Sequence, residues 1–219
     1  DKICKYIREN DLPDLSAASK VNDQIWLFSN DGKKVVSYNL STHKEKWYEL
    51  SVKINQCRHC IYRIEKFYIL DSEGNIYVWD KKQEYLLFSV PNAKKNEYGR
   101  IAVTDRNIIV LPSLGESIYV YDFSKNEIKR NVNYPLDFKY SIQSEWSKYY
   151  GFCEDENNYF FAMRLSNYFL SIEKQAGTIK WINPVIPDFQ ETIDRCKRYS
   201  KNTYLEGMLK LSEYIEEII

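Results

Sequence analysis

The chain has 219 residues, of which 31 are basic and 31 acidic, with 16% aromatics (19 Tyr, 10 Phe, 5 Trp) and little Gly (7) or Pro (6). Balanced charge and abundant aromatics disfavour a disordered chain, the glycine content excludes a collagen-like one, and the zero net charge argues against a dedicated nucleic-acid partner. No run of about 18 apolar residues exists, so neither a membrane-spanning helix nor a membrane partner is expected.

The chain opens on Asp1-Lys2-Ile3-Cys4-Lys5, which builds no apolar signal-peptide region. It does not begin with Met and reads as a piece of a longer or processed protein. Residues 1–18 are set apart as an N-terminal segment. Residues 19–183 then repeat a pattern. Gln24-Ile25-Trp26-Leu27-Phe28 is followed by Val35-Val36-Ser37-Tyr38-Asn39. Lys66-Phe67-Tyr68-Ile69-Leu70 is followed by Ile76-Tyr77-Val78-Trp79-Asp80. Asn107-Ile108-Ile109-Val110-Leu111 is followed by Ile118-Tyr119-Val120-Tyr121-Asp122. Tyr159-Phe160-Phe161-Ala162-Met163 is followed by Phe169-Leu170-Ser171-Ile172-Glu173.

Each pair is a β run, a polar turn, and a second β run ending on Asn39, Asp80, Asp122 or Glu173, which lie 41, 42 and 51 residues apart. Gly32, Gly74 and Gly115 supply the positive φ that tight turns need, and Asn167 stands in their place in the fourth unit. Eight residues beyond the end points stand Trp47, Phe88 and Trp181, with Arg130 breaking the pattern. They mark a third run in each unit, at about 45–49, 85–90, 127–130 and 178–182. Weaker upstream runs, such as 60–63, 100–103 and 148–153, complete four strands per period. That is the signature of a β-propeller blade. A lone blade cannot bury both faces. Stacked blades can, and large aromatics fill the gaps between them. The expected fold is mostly β, with about four four-stranded antiparallel blades forming an open arc of a larger propeller. An open arc would leave an apolar face at 21–27 or on the fourth unit, to be covered by the chain's own helices or by a partner.

Beyond Pro184 and Pro187 the pattern changes. Asp188 to Glu191 and Thr203 to Glu206 have capping-box spacing, and helices are expected over 189–199 and 204–217 of a helical tail, 184–219.

The motifs bear a resemblance to known repeat families. Ser171 to Trp181, with Glu173, Gly177 and Trp181, resembles the PQQ-like repeat. Val36 to Trp47 is similar, with His43 where that glycine would be. Gly74-Asn75-Ile76-Tyr77-Val78-Trp79-Asp80 is similar to a WD40 strand, although no Gly-His pair precedes it, and the double Gly of kelch repeats is absent. Over about 21–183 the chain most resembles poorly characterised bacterial kelch-like or PQQ-like repeat proteins. The resemblance implies architecture rather than activity. It brings no set of ligands for PQQ, and no cofactor is expected.

Chemistry-bearing motifs are few. No P-loop, GxGxxG, GxSxG, HExxH or EF-hand pattern occurs. The five cysteines, Cys4, Cys57, Cys60, Cys153 and Cys196, are too irregular for a disulfide framework and suit a reduced, cytoplasmic protein. Cys57-Arg58-His59-Cys60 has no second pair to complete a zinc site, so no metal is expected. On a regular strand its two thiols face opposite sides. Asn39-Leu40-Ser41 fits a glycosylation sequon but lies at a repeat turn.

Propeller geometry puts a binding site at the channel mouth, here the segments about 58–59, 96–100 and 144–149. Arg58, His59, Tyr98, Arg100, Trp146 and Tyr149 are the candidate ligand-binding residues, suited to a peptide, a sugar or an anion. No catalytic residue is identifiable. The leading expectation is a non-catalytic scaffold for a protein or peptide. The alternative is a carbohydrate-active or other hydrolytic propeller whose carboxylates the sequence does not single out.

Overall fold

The computed structural model describes residues 15–114, 117–131, 134–136, 138, 149–163, 166 and 168–183. The expected helices of the tail and Trp146 lie outside them. The described residues form four antiparallel four-stranded sheets, each a simple meander. The first sheet is β1 (Leu15–Val21), β2 (Gln24–Ser29), β3 (Lys34–Asn39) and β4 (Glu45–Glu49). The second is β5 (Cys57–Arg63), β6 (Lys66–Asp71), β7 (Asn75–Trp79) and β8 (Glu84–Ser89). The third is β9 (Tyr98–Val103), β10 (Asn107–Pro112), β11 (Ile118–Asp122) and β12 (Glu127–Asn131). The fourth is β13 (Tyr149–Glu154), β14 (Asn158–Met163), β15 (Phe169–Glu173) and β16 (Ile179–Ile182). The described residues are therefore mostly β and form four blades. The first strand of the first blade, β1, begins at Leu15, upstream of the expected start of the repeats. Among the described residues no helix is long and apolar enough to cross a membrane.

The repeating Asn and Asp end points are turn-formers. Asn39 Oδ1 accepts hydrogen bonds from the Ser41 and Thr42 N–H groups. Asp80 accepts from Lys82 and Gln83, and Asp122 from Ser124 and Lys125. Asp155 does the same between β13 and β14. Each side chain replaces a backbone acceptor and closes the turn locally, which is why these residues recur at the ends of strands. Further along the turn, His43, Asn126 and Gly177 take the left-handed conformation, at φ 57°, 53° and 72°. All three lie four residues past their end points, so His43 occupies the conformation that glycine has in the fourth blade.

The second blade departs from this plan. Its turn closes from the Asp80 N–H to the Gln83 carbonyl, with Lys81 left-handed at φ 75°. The turn is two residues shorter than that of the first blade, which advances β8, and a bulge between β7 and β8 recovers one of them, pairing Tyr77 with Leu86 and Ile76 with Phe88. The true counterpart of Trp47, which pairs with Val36, is therefore Leu86 rather than Phe88. Both counterparts are exposed on the outer strand, whereas Phe88 stacks on Tyr121 of the third blade with centroids 4.4 Å apart.

Two compact units divide the chain: residues 1–132 with 173–177, and 133–172 with 178–219. In the first, the aromatics seal one blade to the next. Trp26 and Phe28 of β2 and Tyr48 of β4 meet Phe67 of β6 and Trp79 of β7. The Trp26–Phe67 centroids lie 4.9 Å apart and the Phe67–Trp79 centroids 5.4 Å. Lys81 Nζ sits over the Trp26, Tyr62 and Phe67 rings at 5.0, 5.1 and 5.9 Å, a cation–π cap on the cluster. Burial of these side chains contributes about 1.5–3 kcal/mol each. Leu27 and Val36, which alternate with Trp26 and Val35, are buried as well, so neither face of the first blade is bare. In the second unit, Tyr159 and Phe161 are the fully buried aromatics of β14, and Tyr134 and Phe138 pack on Trp181.

Candidate binding site at the ends of the inner strands

Within the first unit, β1 packs against β5 and β5 against β9. First strands of successive blades meet one another, which identifies them as the inner strands. Each carries a bulge near its start. The shift falls between Leu15 and Ala17 in β1, Cys57 and His59 in β5, and Tyr98 and Arg100 in β9. The same shift occurs between Tyr149 and Gly151 in β13 of the second unit. A bulge adds one residue without adding a pair, and it re-aims the side chains beside it. The added residues are Ser16, Arg58, Gly99 and Tyr150, and four of the candidate site residues, Arg58, His59, Tyr98 and Arg100, lie in or beside bulges of adjacent blades.

The bulge changes the cysteine pair. One extra residue between Cys57 and Cys60 brings both to the same face. There they are buried in the core between the first two blades, with Trp26, Phe28 and Phe67. The alternating arrangement expected of a regular strand does not hold. Burial pushes the Cys57 thiol up to about 12 and Cys60 well above the ordinary thiol range, so both are protonated packing groups. Among the described residues no group of three or more His, Cys, Asp or Glu side chains is placed to hold a metal ion.

His59 takes the opposite face. The Ile101 N–H donates to its Nδ1 at 3.1 Å, joining β5 to β9. Complete burial, followed by the positive charge of Arg100, holds the imidazole down at about 3. The ring is therefore neutral near pH 7 and carries its proton on Nε2. His59 clips two inner strands together.

Arg100 leans back on the backbone of the same bulges. Its Nη1 donates to the Gly99 carbonyl at 3.1 Å and, at 3.5 Å, to the Arg58 carbonyl across the strand gap. Its Nε is buried with no partner. Burial first, and then the charge of Arg58, lowers its affinity for its proton. Among the described residues neither Arg58 nor Arg100 forms an ion pair. The described ion pairs are Arg63–Asp105, Lys125–Asp122 and Lys129–Glu127. The acid closest in sequence to Arg100, Glu97, accepts from the Lys94 N–H instead.

The two tyrosines are placed differently. Tyr98 is 2% exposed, edge-on to Tyr119 at 5.9 Å and against Gly74. Tyr149 is fully buried in the second unit, edge-on to Phe161 at 6.3 Å, and burial first, then the neighbouring Tyr134, push its hydroxyl well above the ordinary range. The structure thus brings Arg58, His59, Tyr98 and Arg100 together on β5 and β9, and places Tyr149 in the unit of the fourth blade. Sequence reasoning missed the Gly99 carbonyl that anchors Arg100, because a backbone acceptor leaves no mark on side-chain identity.

No protein-family model and no curated protein matches the chain. Many solved structures do. A catalytically inactive virginiamycin B lyase from Staphylococcus aureus with quinupristin matches with a TM-score of 0.54 and 15% identity, over 82% of this chain and 58% of that one. A protein of unknown function from Bacteroides thetaiotaomicron matches with a TM-score of 0.51 and 14% identity, over 69% of this chain and 45% of that one. The computationally designed Ika4 protein matches with a TM-score of 0.45 and 13% identity, over 81% of this chain and 95% of that one. The chain spans about half the length of the two natural proteins. At these identities the likeness concerns the fold, and the fold is that of a β-propeller.

Proposed function

We propose that the chain is a non-catalytic binding module, of the kelch-like and PQQ-like kind its repeats resemble, which takes a protein or peptide partner at the ends of its inner strands. The observation that carries this reading is the division of labour at β5 and β9. His59, Cys57, Cys60 and Tyr98 are consumed by the fold, while Arg58 and Arg100 keep binding capacity that no described group uses. A side chain held by bulged backbone and left without a counter-ion suits recognition better than turnover. The test is a photo-crosslinking residue placed at Arg58, with the same residue at Lys129 on an outer strand as control. A protein adduct from position 58 and not from 129 is the expected result. Equal labelling at both, or glycoside turnover by the purified chain, would defeat the reading.

A further inference from the structure

We infer that Arg58 and Arg100 form an anion-binding pair that receives carboxylate side chains of an acidic peptide. The inference rests on the peptide-binding reading of this site and names its chemistry. Three observations carry it. First, bulges at equivalent places in neighbouring inner strands put two arginines into one neighbourhood, with Arg100 Nη1 touching the backbone carbonyl of Arg58. Second, the contacts made by Arg100 use only Nη1, on the Gly99 and Arg58 carbonyls, which fixes the guanidinium while Nε stays buried and unpartnered. Third, a chain with 31 acidic residues places none of the described ones in an ion pair with either arginine.

Arg100 loses water on burial and feels the charge of Arg58, and like charges without a described counter-ion repel. A bound carboxylate relieves the repulsion and fills the open donors. The planar guanidinium fork matches a carboxylate in two-point geometry, which an ammonium group would not. His59, neutral and bonded to the Ile101 N–H, adds no charge of its own. Asp71, the buried acid of this blade, is occupied by the Glu73 and Asn75 N–H groups of its own turn and is not available as an internal counter-ion.

The test uses the full chain and two fluorescein-labelled decapeptides, one of glutamate and one of glutamine, read by fluorescence anisotropy. The glutamate peptide is expected to bind and the glutamine peptide at least tenfold more weakly. Arg58→Gln and Arg100→Gln should each weaken glutamate-peptide binding about tenfold, the scale of one lost charge-assisted contact. Lys129→Gln should leave it unchanged, and all three variants should keep the parent's circular dichroism spectrum. Added salt should weaken the parent's binding and affect the double arginine variant less. Equal affinity for the two peptides, or variants that bind as the parent does, would overturn the inference. The crosslink from position 58 reads partner binding separately. A protein adduct there with no preference for glutamate ends the carboxylate assignment alone. Glutamate binding without any adduct ends the peptide-partner reading and leaves the anion pair standing.

Discussion

The junction between the first two blades and the ends of the inner strands are built from the same blades but solve opposite problems. At the junction, Trp26, Phe28, Tyr48, Phe67 and Trp79 interlock ring against ring, and the cations there lie over ring faces, Lys81 over Trp26 and Phe67 and Lys46 over Tyr48. At the inner-strand ends, the Arg100 guanidinium rests on the Gly99 and Arg58 carbonyls, and among the described residues neither it nor Arg58 is paired with an acid. Apolar area stabilises wherever shapes fit. A charge without a partner stabilises nothing until something binds. The contrast separates what holds the chain together from what it can offer to another molecule.

Substitutions at the two places should therefore differ in size and in sign. The largest effect belongs to the junction. Phe67→Ala removes a fully buried ring that touches four other aromatics, and should cost about 3–5 kcal/mol in urea unfolding. A cost under about 1 kcal/mol would mean that the rings do not form a common core.

Gly32→Ala comes next. Its φ of 66° disfavours a side chain, and a Cβ would stand 2.4 Å from Ile54 Cβ. The left-handed conformation alone costs about 1–2 kcal/mol, and the crowding adds to it. Thermal unfolding should show a clear drop, and an unchanged midpoint would show that the turn relaxes freely.

His59 lies between the two regions and tests both. His59→Leu leaves the Ile101 N–H buried and unpaired, at about 1–3 kcal/mol. It also removes a pH dependence. The folded histidine titrates near 3 and an unfolded one near 6.5, so between those values the unfolded chain binds the extra proton. Stability from this group is full above about pH 6.5 and falls as pH drops toward 3. Urea midpoints taken from pH 7 to 4 should slope downward for the parent and less steeply for the variant. Equal slopes would place the acid sensitivity elsewhere. The turn carboxylates Asp31, Asp80 and Asp122 are held below the usual range by Ser29, by the Gln83 N–H and by Ser124, so their contribution is lost only at still lower pH.

The smallest effect is expected at the proposed site. Arg58→Gln should leave stability unchanged or raise it by a few tenths of a kcal/mol, because it removes a repulsive charge. A loss above about 1 kcal/mol would make Arg58 a structural residue and erase the comparison.

Much of the architecture was legible in the residues because its signals are local. Asn39, Asp80 and Asp122 mark turns by bonding to backbone two or three residues on, and that chemistry repeats wherever the turn repeats. His43 could be matched to Gly177 because both hold one left-handed position. Phe88 takes the register position of Tyr48 rather than of Trp47, because the turn before it is two residues shorter and the bulge returns only one, a difference that equal sequence spacing hides. The places of Arg58, His59, Tyr98 and Arg100 on inner strands follow from the repeat. Which of them the fold consumes does not, since that depends on contacts 42 residues apart along the chain, between β5 and β9.

By itself, the sequence determined the strand runs, their turns, the four-strand period and the use of aromatics as packing. Each of these is set by neighbours a few residues away and by the alternation of a pleated strand. Only the tertiary structure decided the bulges. A bulge is a property of two paired strands, and one extra residue reverses which side chains face the core. That reversal put Cys57 and Cys60 together in the interior, turned His59 toward β9, and left Arg100 against the Arg58 carbonyl with no described acid paired to either arginine.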